Sequence, residues 1–513
     1  MKKFLRAQML PVIVFITGAC VLIIEIVATR ILAPYYGNTI FAVSSIISVI
    51  LAALSCGYYV GGKLADKRPS LEWFFGIILV SGLSVLTLQC ISAIALPIFG
   101  YVFSIISGQI IFSLVLFFLP AFLLGMLSPY AIRLEKDQFP DEGIGSGAGK
   151  IFFWSTTGSI IGSLLAGFVL IPNFSISQII IGNGIILFLL GFLPLLRIGD
   201  KKANFLWGFL IVFGFSLILS FGSAKFETGN NVLYSKDGVY TKIVISEGEY
   251  NGKQARFLWL DRGVHGGIFL DSDEDVFEYP RFYALYKIFK PDIRNALVIG
   301  GGMYAIPREL LRDAPGVTVD VAEIEPSLFD LAKRYFRATD NPRLRNYVED
   351  GHRFLNDANS TYDLIFGDAY HSLASVPSHL TTKGFFLLAK EKLSADGIFI
   401  ANIIGDLSTE KPSLIMSEIR TFQSVFPNNY FFAAKSPRET GVQNIMFVGW
   451  NSDKKINIRD PKFLADAHPL IRSLGTKTID AQKFDLSGYP VLTDDFSPSE
   501  YLAAQVLRRQ NGF

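Results

Sequence analysis

The stretch Ala296-Leu297-Val298-Ile299-Gly300-Gly301-Gly302 decides the fold of the C-terminal half of this chain. An apolar run bounded by glycine reads as a buried strand. Glycines at its end permit the tight turn and close backbone approach of a strand that turns into a helix beside a ligand. Working outward, Pro307 to Arg312 opens a helix, Val317 to Ala322 reads as a second strand and Leu328 to Phe336 as a second helix. Tyr362 to Phe366 and Gly397 to Ile403 continue the pattern, with a helix before the latter. Strands alternating with helices predict a parallel, doubly wound α/β sheet whose ligand sits at the carboxyl ends of the strands.

Polar residues recur at those ends. Glu323 closes the second strand about 20 residues after the glycines, where a carboxylate can accept both hydroxyls of a ribose. Asp350-Gly351 follows a third short strand, and Asp368 ends the fourth. A glycine turn or a single carboxylate would be unremarkable. Their shared placement predicts one nucleoside-binding crevice built from Gly300, Gly301, Gly302, Glu323, Asp350, Gly351 and Asp368.

Before this sheet, Val232 to Tyr234, Thr241 to Ser246 and Ala255 to Leu260 alternate or run apolar over short spans, which predicts a small antiparallel β unit. Residues 1 to 222 are of another kind, nearly all apolar. Stretches near 10–30, 40–61, 73–96, 108–131, 152–171, 177–196 and 204–221 each supply the roughly 20 apolar residues a helix needs to cross a bilayer. The predicted organisation is a transmembrane bundle of about seven helices over 1–222, a small β unit over 223–290 and an α/β domain over 291–513. The first segment is too long, and too lacking in a cleavage site, for a signal peptide. Lys and Arg in the short loops put the N-terminus in the cytoplasm, and seven crossings would then leave the soluble half outside it. Two GxxxG pairs, Gly57/Gly61 and Gly158/Gly162, are expected at close helix contacts. Glu25 is either a functional intramembrane acid or a partner of Arg30.

The formal net charge of +2 gives no footprint for nucleic acid. Cys20, Cys56 and Cys90 all lie in apolar segments, so neither a disulfide framework nor a cysteine metal site is expected, and no metal is assigned. A homo-oligomer is compatible with these features.

Val298-Ile299-Gly300-Gly301-Gly302, Ala322-Glu323-Ile324-Glu325-Pro326, Glu349-Asp350-Gly351, Tyr362-Asp363-Leu364-Ile365-Phe366-Gly367-Asp368 and Leu492-Thr493-Asp494-Asp495-Phe496-Ser497-Pro498 together resemble the ordered motifs of the spermidine synthase family over roughly residues 232–500. Thr17 to Arg30 and Gly61 to Lys67 look like the membrane portion of membrane-bound, transporter-fused members of that group. The likeness implies a Rossmann-like domain of the class I methyltransferase type. It also implies transfer of an aminopropyl group from decarboxylated S-adenosylmethionine to an amine. By resemblance Glu323 holds the ribose, Asp350 and Gly351 the adenine, Asp368 is the general base, and Tyr240 and Tyr279 belong to a lid over the substrate.

The departures from the family also carry information. Met303 stands where the glycine motif has an acid that contacts an amine, His371 replaces the second acid of the D-x-x-D motif, and Thr241 replaces a glutamine after the lid tyrosine. A diamine carries two charges and needs carboxylates around it, so ordinary putrescine fits poorly. His371 could accept or act as a second base, though a solvated loop histidine is commoner. Asp494 could return negative charge to the pocket, and His379 is read as structural. Two alternatives stand beside aminopropyl transfer: methyl transfer from S-adenosylmethionine, and a transporter or nucleoside-binding protein whose soluble half is catalytically silent.

Overall fold

The computed structural model describes residues 2–100, 102–198, 213–214, 218, 231–261, 263–369, 377–439, 441–466 and 468–511. The chain divides into two compact units, Met1–Asn230 and Asn231–Phe513. In the first, six helices are long and apolar enough to cross a membrane: Met9–Tyr36, Ile40–Lys67, Leu71–Phe99, Ile106–Gln138, Ile144–Asn173 and Ile176–Arg197. Each corresponds to one of the apolar stretches above, while the seventh, 204–221, lies outside the described residues apart from Phe213, Gly214 and Ile218. Hydroxyl side chains set three of the helix starts: Thr39 accepts from Ala42 N, Ser70 from Trp73 N and Ser104 from Ser107 N.

Both glycine pairs sit at helix crossings. A Cβ at Gly57 would strike the carbonyl of Phe122, and one at Gly61 the backbone of Met126. Side chains at Gly158 and Gly162 would meet the carbonyls of Phe15 and Ala19, and Ser159 Oγ donates to Gly18 O across the same seam at 3.1 Å. These glycines therefore let backbones touch, which is how helices gain van der Waals contact when lipid removes the hydrophobic drive. Glu25 is half-buried.

The second unit contains two sheets. Strands β1 (Val232–Asp237), β2 (Lys242–Tyr250), β3 (Lys253–Leu260) and β4 (Gly263–Phe269) form an antiparallel meander. The larger sheet has the order β12-β10-β11-β9-β8-β5-β6-β7, from β5 (Asn295–Ile299), β6 (Thr318–Glu323), β7 (Leu344–Val348), β8 (Tyr362–Gly367), β9 (Leu393–Gly405), β10 (Asn429–Ala433), β11 (Gln443–Trp450) and β12 (Thr478–Ile479). Strands β5 to β9 pair in parallel, as expected. The wholly parallel sheet needs correction, because β10, β11 and β12 pair antiparallel. The link between Ala433 and Gln443 is too short for a crossover helix, so the chain must turn straight back.

Apolar strands of the larger sheet are covered on both faces. Leu297 and Ile299 face one core with Phe386, Phe399 and Phe422, whereas Ala296 and Val298 face another with Phe282, Leu310 and Val319. Strand order reverses beside β5, between its neighbours β6 and β8, and there a crevice opens at the carboxyl ends.

Candidate active site

Gly300 leaves β5 with φ +91, a conformation that a side chain resists, and a Cβ there would press on Asp368 O at 2.5 Å. Gly302 follows at φ +52. This turn is braced by Glu323 at the end of β6, whose Oε2 accepts from Gly301 N at 2.7 Å and Gly302 N at 3.3 Å while Oε1 accepts from Glu325 N at 2.8 Å. Glu325 in turn accepts from Tyr240 N at 2.9 Å and from Ser327 Oγ at 3.1 Å, which fastens the β1–β2 turn to the loop after β6.

Asp350 caps the helix Gly351–Asp357 by accepting from Arg353 N at 3.0 Å. Its other oxygen lies 3.1 Å from His379 Nε2. That hydrogen bond is the main reason the Asp350 carboxyl is held down to about 2, helped by the helix-start amides.

Asp368 follows β8, and its Oδ1 accepts from Asn402 Nδ2 at 2.8 Å. Asn402 Oδ1 accepts in turn from Asn444 Nδ2 at 2.9 Å. The Tyr279 hydroxyl lies 3.0 Å from His265 O and also bonds the Asp368 carboxyl. Burial pushes that carboxyl up to about 7; the bonds from Asn402 and Tyr279 pull it down, and Glu323 adds a smaller push upward. Burial likewise drives the Tyr279 phenol well above its ordinary range, so it stays a donor.

One cavity gathers Tyr240, Gly300, Gly302, Glu323, Asp350, Gly351 and Asp368 among its walls. Including its open mouth it encloses about 720 Å³. Gly301 contributes its N–H from behind the wall, and Tyr279 reaches Asp368 without being a wall residue. His371 lies outside the described residues. Asp494 is placed elsewhere: it accepts from Thr382 Oγ1 at 2.5 Å and packs on Gly384 at the start of the helix Lys383–Glu391, so its charge supports that helix start instead of the cavity.

His379, read from sequence as structural, is a wall residue hydrogen-bonded to Asp350, the cap of the helix Gly351–Asp357. His265 and Thr241 also face the cavity, and Thr241 Oγ1 is buried without a hydrogen-bond partner among the described residues. Nothing in the spacing marks His379, because its partner lies 29 residues earlier. Met303 is buried against Gly266, among Leu258, Leu260 and Leu328.

Residues 283–460 match the family described as "Spermine/spermidine synthase domain". A polyamine aminopropyltransferase of Bacillus cereus is 28% identical over 239 residues, covering 46% of this chain and 83% of its own length. One from Vibrio vulnificus is 32% identical over 173 residues, covering 33% of this chain and 55% of its own. A crystal structure of a probable spermidine synthase from Corynebacterium glutamicum aligns over 51% of this chain and 96% of its own, with 19% identity and a TM-score of 0.42. The sequence matches make this chain a transferase enzyme. Residues 283–460 are thus similar to spermidine synthase domains.

Proposed function

We propose that the soluble unit transfers an aminopropyl group from a sulfonium nucleoside of the decarboxylated S-adenosylmethionine type to an amine, a step of polyamine synthesis. The observation that carries this reading is the meeting of Glu323, Asp350 and Asp368 in one cavity, the last with a carboxyl near neutrality. Glu323 supplies acceptors for ribose hydroxyls, and Asp350 with His379 faces the adenine edge. Tyr240 and Tyr279, on the segments before β5, close over the substrate. The incoming ammonium gives one proton to ionised Asp368, and the freed nitrogen pair attacks the carbon beside the sulfonium. The carbon–sulfur bond breaks with its electrons going to sulfur, leaving a neutral thioether nucleoside and a protonated secondary amine.

Methyl transfer from S-adenosylmethionine is the second reading, favoured by Met303 standing where aminopropyltransferases carry the acid that contacts an amine. Full-length protein in detergent, given each donor with an amine panel, separates the two. Methylthioadenosine released from the decarboxylated donor only when amine is present supports aminopropyl transfer. S-adenosylhomocysteine released from S-adenosylmethionine replaces it with methyl transfer, and neither product rejects both.

The first unit is proposed to span the bilayer with its N-terminus in the cytoplasm. Apolar side chains such as Phe153, Ile161 and Phe168 stand exposed on its outside, as lipid contact requires. Residues 204–221 then decide the side on which the soluble unit lies, and a C-terminal reporter fusion reads that side directly.

A further inference from the structure

We propose that Asn402 and Asn444 are positioning residues for Asp368, with Asn444 fixing the direction of the Asn402 amide so that its N–H₂ group, and not its carbonyl, faces the carboxylate. The inference rests on the reading of Asp368 as the base.

The geometry is a directed chain. Asn402 is buried at 2% exposure on β9, and Asn444 stands near the start of the neighbouring antiparallel strand β11. In the pairing register Asn402 faces Met446 and Asn444 faces Ile404, so the two asparagines are diagonal neighbours on one face of the sheet. Asn444 donates to Asn402 Oδ1 at 2.9 Å, and Asn402 donates to Asp368 Oδ1 at 2.8 Å.

An amide has one accepting end and one donating end. With Asn402 turned over, its carbonyl would face the Asp368 carboxylate and its N–H₂ group would face that of Asn444, two repulsive contacts at once. Asn444 therefore selects the orientation that stabilises charged Asp368. Among the described residues, the other ionisable groups that line this cavity or act on Asp368 are Tyr240, Tyr279, Glu323, Glu325, Asp350, His265 and His379, and all of them stay unchanged in the variants below.

Two readouts on the full-length protein in detergent separate this inference from the functional reading. The first needs no substrate: the carboxyl stretch of protonated Asp368 is isolated as the infrared difference between wild type and Asp368→Asn, and titrated. Asn402→Ala removes a donor to the carboxylate and should move the midpoint upward by about one pH unit. Asn444→Ala should move it less in the same direction. Asn444→Asp keeps the shape but offers an acceptor, which turns Asn402 over, so it should move the midpoint further than Asn444→Ala although its volume is nearly native. In the double variant Asn402→Ala/Asn444→Asp the second change should add less than it does alone, the remainder being the direct repulsion of the new carboxylate.

The second readout is turnover. At pH 7 the Asn402→Ala enzyme should lose about fivefold in kcat/KM, because a smaller share of the base is ionised, and should recover at higher pH. An unmoved midpoint in Asn402→Ala overturns the proposal. So does an Asn444→Asp shift no larger than that of Asn444→Ala, or one that persists in full without Asn402. Wild type that fails to turn over with any amine rejects the functional reading while the infrared titration still judges the geometry.

Discussion

The imidazole of His379 and the carboxylate of Asp350 meet at 3.1 Å, joining the segment before one helix to the cap of another across the mouth of the cavity. Removing His379 tests the contact in two ways. In His379→Ala, methylthioadenosine affinity measured by calorimetry should fall about fivefold, the weight of one hydrogen bond that holds Asp350 in place under the proposed function. The Asp350 carboxyl is held at about 2, below its ordinary value, so its stabilising contribution is complete above about pH 4 and is lost as pH falls through about 2. The difference in melting temperature between wild type and variant should be clear at pH 5 and should close as the pH approaches 2. A gap that stays constant with pH would mean that the contact does not hold the carboxyl down.

Asp368 has the opposite sign. Its folded value is raised to about 7, so the stability linked to its protonated form is complete below about pH 4 and is lost as pH rises through about 7. Asp368→Asn should therefore melt above wild type at pH 8 and close to it at pH 4. The same carboxyl acts as base only when ionised, so wild-type kcat/KM should climb through about pH 7. The Asn variant should lose about a hundredfold to ten-thousandfold with that limb abolished. Its affinity for methylthioadenosine should stay within a few fold, and a large loss would assign Asp368 to nucleoside binding instead.

Glu323 satisfies three backbone amides besides facing the cavity. Glu323→Ala leaves those donors bare and should lower stability by about 1–3 kcal/mol in addition to weakening nucleoside binding. Glu323→Gln keeps one accepting oxygen and should recover part of the stability but little of the affinity. Thermal melts with and without methylthioadenosine separate the two effects, and equal melting of both variants would deny the bracing role.

In the first unit, Gly162→Leu drives a side chain into the backbone at Ala19, whereas Gly145→Leu meets no atom within 4 Å. The former should aggregate on detergent extraction and the latter should elute as wild type by size exclusion. Identical behaviour would mean that the seam at Gly162 is not close-packed.

How far the fold was legible follows from where each signal resides. The runs Ala296 to Ile299 and Tyr362 to Phe366 are apolar throughout because both sheet faces are covered, and that local property is written in consecutive residues. The six apolar helices are legible for the same reason. The antiparallel end of the sheet was not, because Asn429–Ala433 and Gln443–Trp450 are as apolar as parallel strands and only the brevity of their link reveals the direction. At the cavity, the placement of Glu323, Asp350 and Asp368 at strand ends is readable from position, while the contacts of His379 and Asn402 are not, because each partner is distant in sequence. Asp494 erred the other way: its acidity suggested the cavity, and its tertiary neighbour Thr382 puts it at a helix start.

The seam at Gly158 and Gly162 has a mechanical consequence for the first unit. With carbonyls of one helix resting where the other has no side chains, no acyl chain can wedge between Lys2–Tyr36 and Ile144–Leu165, and neither helix can slide past the other without backbone collision. Those two helices travel as one rigid pair, so any rocking motion within the bundle must find its slip plane along another pair of neighbours.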